Sequence, residues 1–187
     1  MRNRYGFTLL ELMVVLAIIA ILSSLAAPSF TQMIQSKTIS SNVNTFLADM
    51  RFARSESIRR GGGVVMCRSD APEAVNPTCG NSSGPDEHGW ASGWIIFHDW
   101  NNNGVQDTNE PLLRVKSPVT AMDSITEGDG TTSTQFRFTA TGRLSTSPTQ
   151  LQFGGGNYAS NVRRLVCVDL GGRAHTSSAG TVDCGSP

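Results

Sequence analysis

Three groups of residues in this 187-residue chain have types and spacings that could do chemistry. The first is a lone acid, Glu11, within Phe7-Thr8-Leu9-Leu10-Glu11-Leu12, which runs into an apolar stretch from Met13 to Leu22. A carboxylate at membrane depth costs roughly 2.5–3.5 kcal/mol on insertion scales, so it is rarely found there without a partner or a task. The second group is Asp99, Asn101, Asn103, Val105, Asp107 and Glu110, with Gly104 among them. That order matches the calcium-loop pattern, in which oxygen donors alternate around an obligatory glycine and end in a glutamate. The third group lies near the C-terminus, where Gly172, Arg173 and His175 stand between Cys167 and Cys184. A positive, cystine-closed loop there would suit an anionic ligand.

None of these groups makes an enzyme. His88, His98 and His175 are scattered, and none shares a motif with a nucleophile. His98 beside Asp99 has the composition of half an acid–base pair, but a histidine at a strand end beside a turn aspartate is the simpler reading. Gly61-Gly62-Gly63 follows a helical pattern instead of opening one, so it does not read as a phosphate-cradling loop. The calcium pattern is complete, yet an EF-hand needs flanking helices and strands are expected on both sides here. Asn103-Gly104 is also a hairpin-turn signal by itself. A polar hairpin loop is therefore the preferred reading of 99–110; calcium is the one cofactor alternative and no other is expected.

Charge and cysteine usage narrow the classes further. The formal net charge is zero and 16% of residues are charged, which gives no global case for a nucleic-acid or acidic partner. The charge is unevenly placed: Gly61 to Phe136 holds ten acids against Arg68, Arg114 and Lys116, while Arg137 to Pro187 holds five arginines against Asp169 and Asp183. Four cysteines lie beyond an apolar N-terminal segment, which favours disulfides in an oxidising compartment. Three connectivities are open; pairing Cys67 with Cys79 and Cys167 with Cys184 is preferred because both loops are short. Without a Cys-x-x-Cys, zinc is not expected.

The elements that must position these groups begin with a helix. Phe7 to Ala27 is about 21 residues, enough to cross a hydrocarbon core of ~30 Å. Arg2 and Arg4 precede it, placing the N-terminus in the cytoplasm and the remainder outside. An ordinary signal peptide cut near Ala26 is the alternative, but Glu11, the length of the run and Pro28 argue against it. Helical spacing continues through Phe30, Met33, Ile34, Val43, Phe46, Leu47, Met50 and Ala53, with Ile58 extending the run on a shifted face. Pro28 should kink this helix and the three glycines should end it. Arg51, Arg54, Arg59 and Arg60 read as its solvated face.

Beyond it the glycine-, serine- and threonine-rich remainder predicts β structure. Strands are expected at Val64–Cys67, Trp90–Phe97, Leu112–Val115, Phe136–Thr139, Leu151–Phe153 and Arg163–Asp169. The fold class is α+β: a long N-terminal helix, transmembrane and then amphipathic, packed on an antiparallel β-sheet domain.

Gly6-Phe7-Thr8-Leu9-Leu10-Glu11 resembles the processing site of type IV prepilins and type II secretion pseudopilins, and Pro28 falls where that family commonly carries its proline. The segment Ala53 to Cys67 and the run Phe136-x-Phe138-x-x-x-Gly142 resemble the FimT/GspH branch, which holds minor pilins and H-type pseudopilins. The resemblance implies a prepilin peptidase as partner, cleavage between Gly6 and Phe7, and N-methylation of Phe7. It also implies insertion in the bacterial inner membrane, a periplasmic C-terminal domain, and assembly with other pilins or pseudopilins into a surface filament. Glu11 then faces the new amino terminus of a neighbouring subunit. In FimT-like minor pilins a C-terminal Gly-Arg-x-Arg motif is implicated in DNA binding; Gly172 and Arg173 match it, and His175 replaces the second arginine. Arg163, Arg164 and Arg143 would enlarge that patch if the fold gathers them, giving weak DNA binding.

The expected organisation is a leader over 1–6, a transmembrane assembly helix over 7–28, an amphipathic half over 29–60 and a β-rich domain with two disulfides over 61–187. The expected function is that of a minor pilin with a priming or tip role and a share in DNA uptake. Its rivals are an H-type pseudopilin of a type II secretion system and, in another class, a secreted β-rich binding domain.

Overall fold

The computed structural model describes residues 6–80, 88–127, 134–146, 149–177 and 184; of residues 25–28 only the backbone is described. Two units are compact in themselves, Met1–Gln35 and Ser36–Pro187. One helix, α1 (Leu9–Arg60), contributes to both. Its start is capped by Thr8, whose hydroxyl accepts the Glu11 N–H at 3.2 Å and whose carbonyl accepts the Leu12 N–H at 3.2 Å. In the first unit Leu10, Val14, Leu16, Ile18 and Ile21 are exposed on every side of the helix. A helix apolar all round belongs in a lipid or protein interior. Neither Leu9–Ser24 nor Ser29–Arg60 is by itself long and apolar enough to cross a membrane, but the pair is, by length and composition. The kink expected at Pro28 concerns a side chain outside the described residues.

In the second unit α1 presents Ile39, Val43, Phe46, Leu47, Met50, Ala53 and Ser57 as one buried stripe. These steps of three and four residues follow a single helical face. Ile58, expected to extend that stripe, is exposed, and Ser57 is buried in its place. The core face advances four residues from Ala53 and reaches Ser57, whose hydroxyl is satisfied by the Arg54 carbonyl at 2.8 Å. Past Arg60 the Gly62 N–H returns to the Ser57 carbonyl at 2.7 Å, while Gly61 takes φ +81°. This is the glycine-dependent end of a helix that the sequence predicts.

Among the described residues eight strands follow: β1 (Val64–Arg68), β2 (Trp94–His98), β3 (Leu112–Lys116), β4 (Ile125–Glu127), β5 (Gln135–Phe138), β6 (Thr149–Phe153), β7 (Arg164–Val168) and β8 (Ala174–Thr176). They form two four-stranded antiparallel sheets, in the orders β3-β2-β1-β5 and β4-β6-β7-β8. The single strand expected over Trp90–Phe97 is split: Trp90–Ser92 is a 3-10 turn, and Gly93 at φ +108° separates it from β2. A Cβ at Gly93 would lie 2.5 Å from the Lys116 carbonyl oxygen, so only glycine lets the chain enter the sheet there. The strands β4 and β8, of three residues each, carry no alternation long enough to read in sequence.

The core lies where the α1 stripe meets both sheets. Phe46 is edge-on to Trp90, Trp94, Phe136 and Phe153, with ring centroids 5.7, 5.4, 6.1 and 5.6 Å away. A smaller cluster of Val65, Cys67, Ile95 and Phe97 occupies the other face of the first sheet, with Cys79 packed on it. This second cluster explains why β1 is buried along its whole length. Disulfides join Cys67 to Cys79 and Cys167 to Cys184, the local pairing.

One buried carboxylate ties α1 to the first sheet. Asp49 accepts the Trp94 indole N–H at 2.8 Å and the Arg114 guanidinium at 2.6 Å, and Arg114 lies 3.9 Å over the Phe52 ring. Removing the carboxylate leaves the buried Trp94 indole N–H without its acceptor and the half-exposed Arg114 without its ion pair. Asp49→Ala is expected to lower stability by about 1–3 kcal/mol in urea unfolding followed by tryptophan fluorescence, and Asp49→Asn, which keeps an acceptor for Trp94, by less. A second prediction concerns pH. Hydrogen bonds from Arg59 and Arg60 hold the Glu56 carboxyl down from its ordinary 4.5 to about 2. Its contribution is therefore complete above pH 4.5 and is lost as the pH falls toward 2. Unfolding midpoints of Glu56→Gln and wild type, separate at neutral pH by a small amount, should converge over that window.

Candidate functional site

At the N-terminus the structure places the expected assembly residues in the open. Gly6 has nothing packed within 4 Å and Phe7 is 84% exposed. The carboxylate of Glu11 makes no hydrogen bond or ion pair among the described residues, although its backbone N–H is capped by Thr8. Thr8-Leu9-Leu10-Glu11 also has the spacing of a helix capping box, a local role for this glutamate beside the expected assembly contact. The acid thus begins a helix locally while its charge is left without a partner among the described residues.

The loop of residues 99–110 connects β2 and β3 and is tied together from within. The buried Asp99 carboxylate accepts the N–H groups of Asn103 and Gly104 at 3.1 and 2.8 Å, and Arg137 at 3.2 Å. Asp107 accepts the side-chain amides of Asn101 and Asn103 at 2.9 and 3.0 Å. Glu110 accepts the Trp100 and Asp107 N–H groups at 2.8 and 3.1 Å, and Val105 donates its N–H to the Asn103 side chain at 2.7 Å. Each carboxylate of the calcium pattern is thus taken by N–H donors, with the Arg137 guanidinium as the cation on Asp99. Among the described residues no group of three His, Cys, Asp or Glu is arranged around a point that could hold a metal. His98 and Asp99 do not pair: His98 accepts the Trp100 indole N–H at 2.8 Å.

Near the C-terminus the structure makes a gathering that the sequence did not show. The turn between β7 and β8 lies against α1, and a cleft of about 480 Å³ is lined by Arg51, Arg54, Asp169, Gly172, Arg173, Ala174 and His175. Arg51 and Arg54, expected to be a solvated helix face, therefore share a cleft with Arg173 and His175. Close approach depends on two glycines: a Cβ on Gly172 would lie 2.2 Å from the Gly142 carbonyl oxygen, and one on Gly142 would lie 3.0 Å from Arg54 Nε. Arg163 and Arg164 do not line the cleft. Arg163 donates to the carbonyls of Tyr158 and Gly156, at 2.9 and 3.3 Å, and Arg164 donates to those of Asn161, Val162 and Arg163. They brace the loop before β7. Adjacency in sequence suggested a patch; alternation along the strand and the neighbouring carbonyls determine otherwise.

Residues 42–172 match the family described as Type II transport protein GspH, and residues 1–27 match the prokaryotic N-terminal methylation motif. The type IV minor pilin FimU of Pseudomonas aeruginosa, in a P21 crystal, is similar in structure with a TM-score of 0.51 at 16% identity, over 81% of this chain and 99% of that chain. A P65 crystal of FimU gives 0.48 at 16% identity, over 76% and 94% of the two chains. At such identity the first of these establishes a shared fold, an N-terminal helix packed on antiparallel sheets. The methylation motif implies a prepilin-type, membrane-anchored N-terminal helix. With a family match over most of its length, the chain belongs to the GspH family of type IV pilin-like proteins, whose members are minor pilins and pseudopilins.

Proposed function

We propose that this protein is a minor pilin that enters a type IV pilus through its N-terminal helix and acts in priming or at the tip. The Glu11 carboxylate, without a partner among the described residues and set in a helix apolar on all sides, carries this reading. Prepilin peptidase cuts between Gly6 and Phe7, and methylated Phe7 becomes the mature terminus at the edge of the apolar segment. In a bundle of staggered parallel helices, the Glu11 carboxylate of one subunit meets the amine of the next. A buried ion pair of this kind selects position strongly, because a missing partner costs about 3–5 kcal/mol. Before assembly the chain crosses the inner membrane once, N-terminus inward; afterwards it lies in the surface filament.

The match to a type II transport family supports the rival reading, an H-type pseudopilin, in which the same helix enters a secretion pseudopilus. A deletion strain separates the two, by loss of pili or by loss of secreted enzymes. The match of residues 1–27 to the methylation motif supports the prepilin cut over a signal-peptide cut near Ala26. DNA contact at Arg173 is a second activity of the pilin reading, favoured by the absence of any partner for that guanidinium among the described residues.

Protein sheared from cells with the filaments is expected to begin with N-methylated Phe7 by terminal mass spectrometry. Glu11→Ala should be cut normally and fall at least about tenfold in the sheared fraction. A terminus near Ala27, or full incorporation of the variant, would exclude this function.

A further inference from the structure

We propose that the cleft between α1 and the β7–β8 turn is a pocket for a phosphate group, in which Arg51 and Arg54 of the helix act with Arg173 and His175 of the turn. The distribution of arginine partners carries this. Arg59 and Arg60 pair with Glu56, Arg68 with Asp70, Arg114 with Asp49 and Arg137 with Asp99. Arg163 and Arg164 are occupied by backbone carbonyls. The guanidinium groups of Arg51, Arg54, Arg143 and Arg173 have no such partner among the described residues, and all of them but Arg143 line one cleft.

Arg54 is the most demanding of the three. Its Nε is fully buried and has no hydrogen-bond acceptor, a state that costs about 1–3 kcal/mol for an uncharged donor and more for a charged one. The single carboxylate of the cleft, Asp169, accepts the backbone N–H of Arg173 at 3.2 Å and is held to its own turn. The balance of the lining is three permanent positive charges and a histidine against one negative charge.

Positions 51 and 54 are three residues apart, so both side chains leave the same side of α1. They flank Met50 and Ala53 of the buried stripe, which fixes the helix beneath them. Planar guanidinium forks on two elements lining one cleft suit the tetrahedral oxygens of a phosphate. A volume of about 480 Å³ admits that group with an attached sugar. The phosphate is either a free anion or one link of a nucleic-acid backbone. Only the second source rests on the DNA reading of Arg173; the pocket itself does not.

The test uses the full chain in non-ionic detergent at low salt. Inorganic phosphate is titrated by calorimetry, and a short labelled oligonucleotide, single- or double-stranded, by fluorescence anisotropy. Wild type is expected to bind at least one of the two. Arg51→Gln with Arg54→Gln should weaken that binding at least about tenfold, while Lys37→Gln, which removes an equal charge elsewhere on the helix, changes it by less than about twofold. His175→Arg should tighten it several-fold by adding a permanent charge. Thermal midpoints of all variants are measured alongside, and Arg54→Lys, which keeps the charge but loses the fork, should retain the fold and bind at an intermediate level. Binding unchanged in the double variant, or equally reduced by Lys37→Gln, overturns the pocket. Oligonucleotide binding that is lost in Arg173→Gln but kept in the double variant overturns the pocket and leaves the DNA reading standing. Phosphate binding that needs Arg51 and Arg54, without oligonucleotide binding, supports the pocket and ends the DNA reading. If wild type binds neither, both fall.

Discussion

Phe46 touches four aromatic rings edge-on, and those rings come from both sheets and from the turn before β2. Edge-to-face contacts of this kind add about 0.5–1.5 kcal/mol each beyond area burial, and they also restrict rotation of the helix about its axis. With Phe46 seated, Asp49 lies one turn further along, where its carboxylate meets the Trp94 indole and Arg114. Ala53 and Ser57 continue the same face with small side chains, so the helix can lie close to the strands. Everything that the second half of α1 presents outward, Arg51 and Arg54 included, has its direction set by this contact.

The outer face of the first sheet is organised separately. Val65, Cys67, Ile95 and Phe97 would face water in a two-layer α/β arrangement, but the Cys67–Cys79 segment packs over them. The 99–110 loop continues this cover, since its Gln106 and Glu110 are buried. Its internal hydrogen bonds give it a fixed conformation without a strand or helix of its own. Asn102 at φ +58° and Gly104 at φ +80° provide the backbone turns this requires. A polar loop of this kind is compatible with a hydrophobic surface beneath it because its N–H groups are satisfied from within.

The described arginines other than Arg143 have three uses. Five are neutralised by carboxylates, and two reinforce the loop before β7 through carbonyls. Those that remain in the cleft lie on the helix and on the β7–β8 turn, brought together by the close contact of Gly142 with Gly172. The Cys167–Cys184 disulfide anchors the strand from which this turn departs, in a region where three-residue strands offer few ladder bonds. An anion-binding function in such a place is compatible with filament assembly, because the two use different parts of the chain.

The first residues and the acid at position 11 are readable because their meaning is local: a methylation motif, an apolar run and a charge within it need no tertiary contact to be recognised. The helix, its glycine stop and most strands were legible for the same reason, since periodicity of 3.6 or 2 survives in one dimension. The division into two sheets, the break at Gly93 and the burial of Ser57 in place of Ile58 depended on which surfaces meet. Arg51 and Arg54 are more than a hundred residues from Arg173, and nothing in spacing or composition relates them. Arg163 and Arg164, close to Arg173 in the chain, are removed from it by the strand they enter. Local motifs therefore determined the family. Only packing decided which charges are neutralised and which are left facing a cleft, because a charge finds its partner through space.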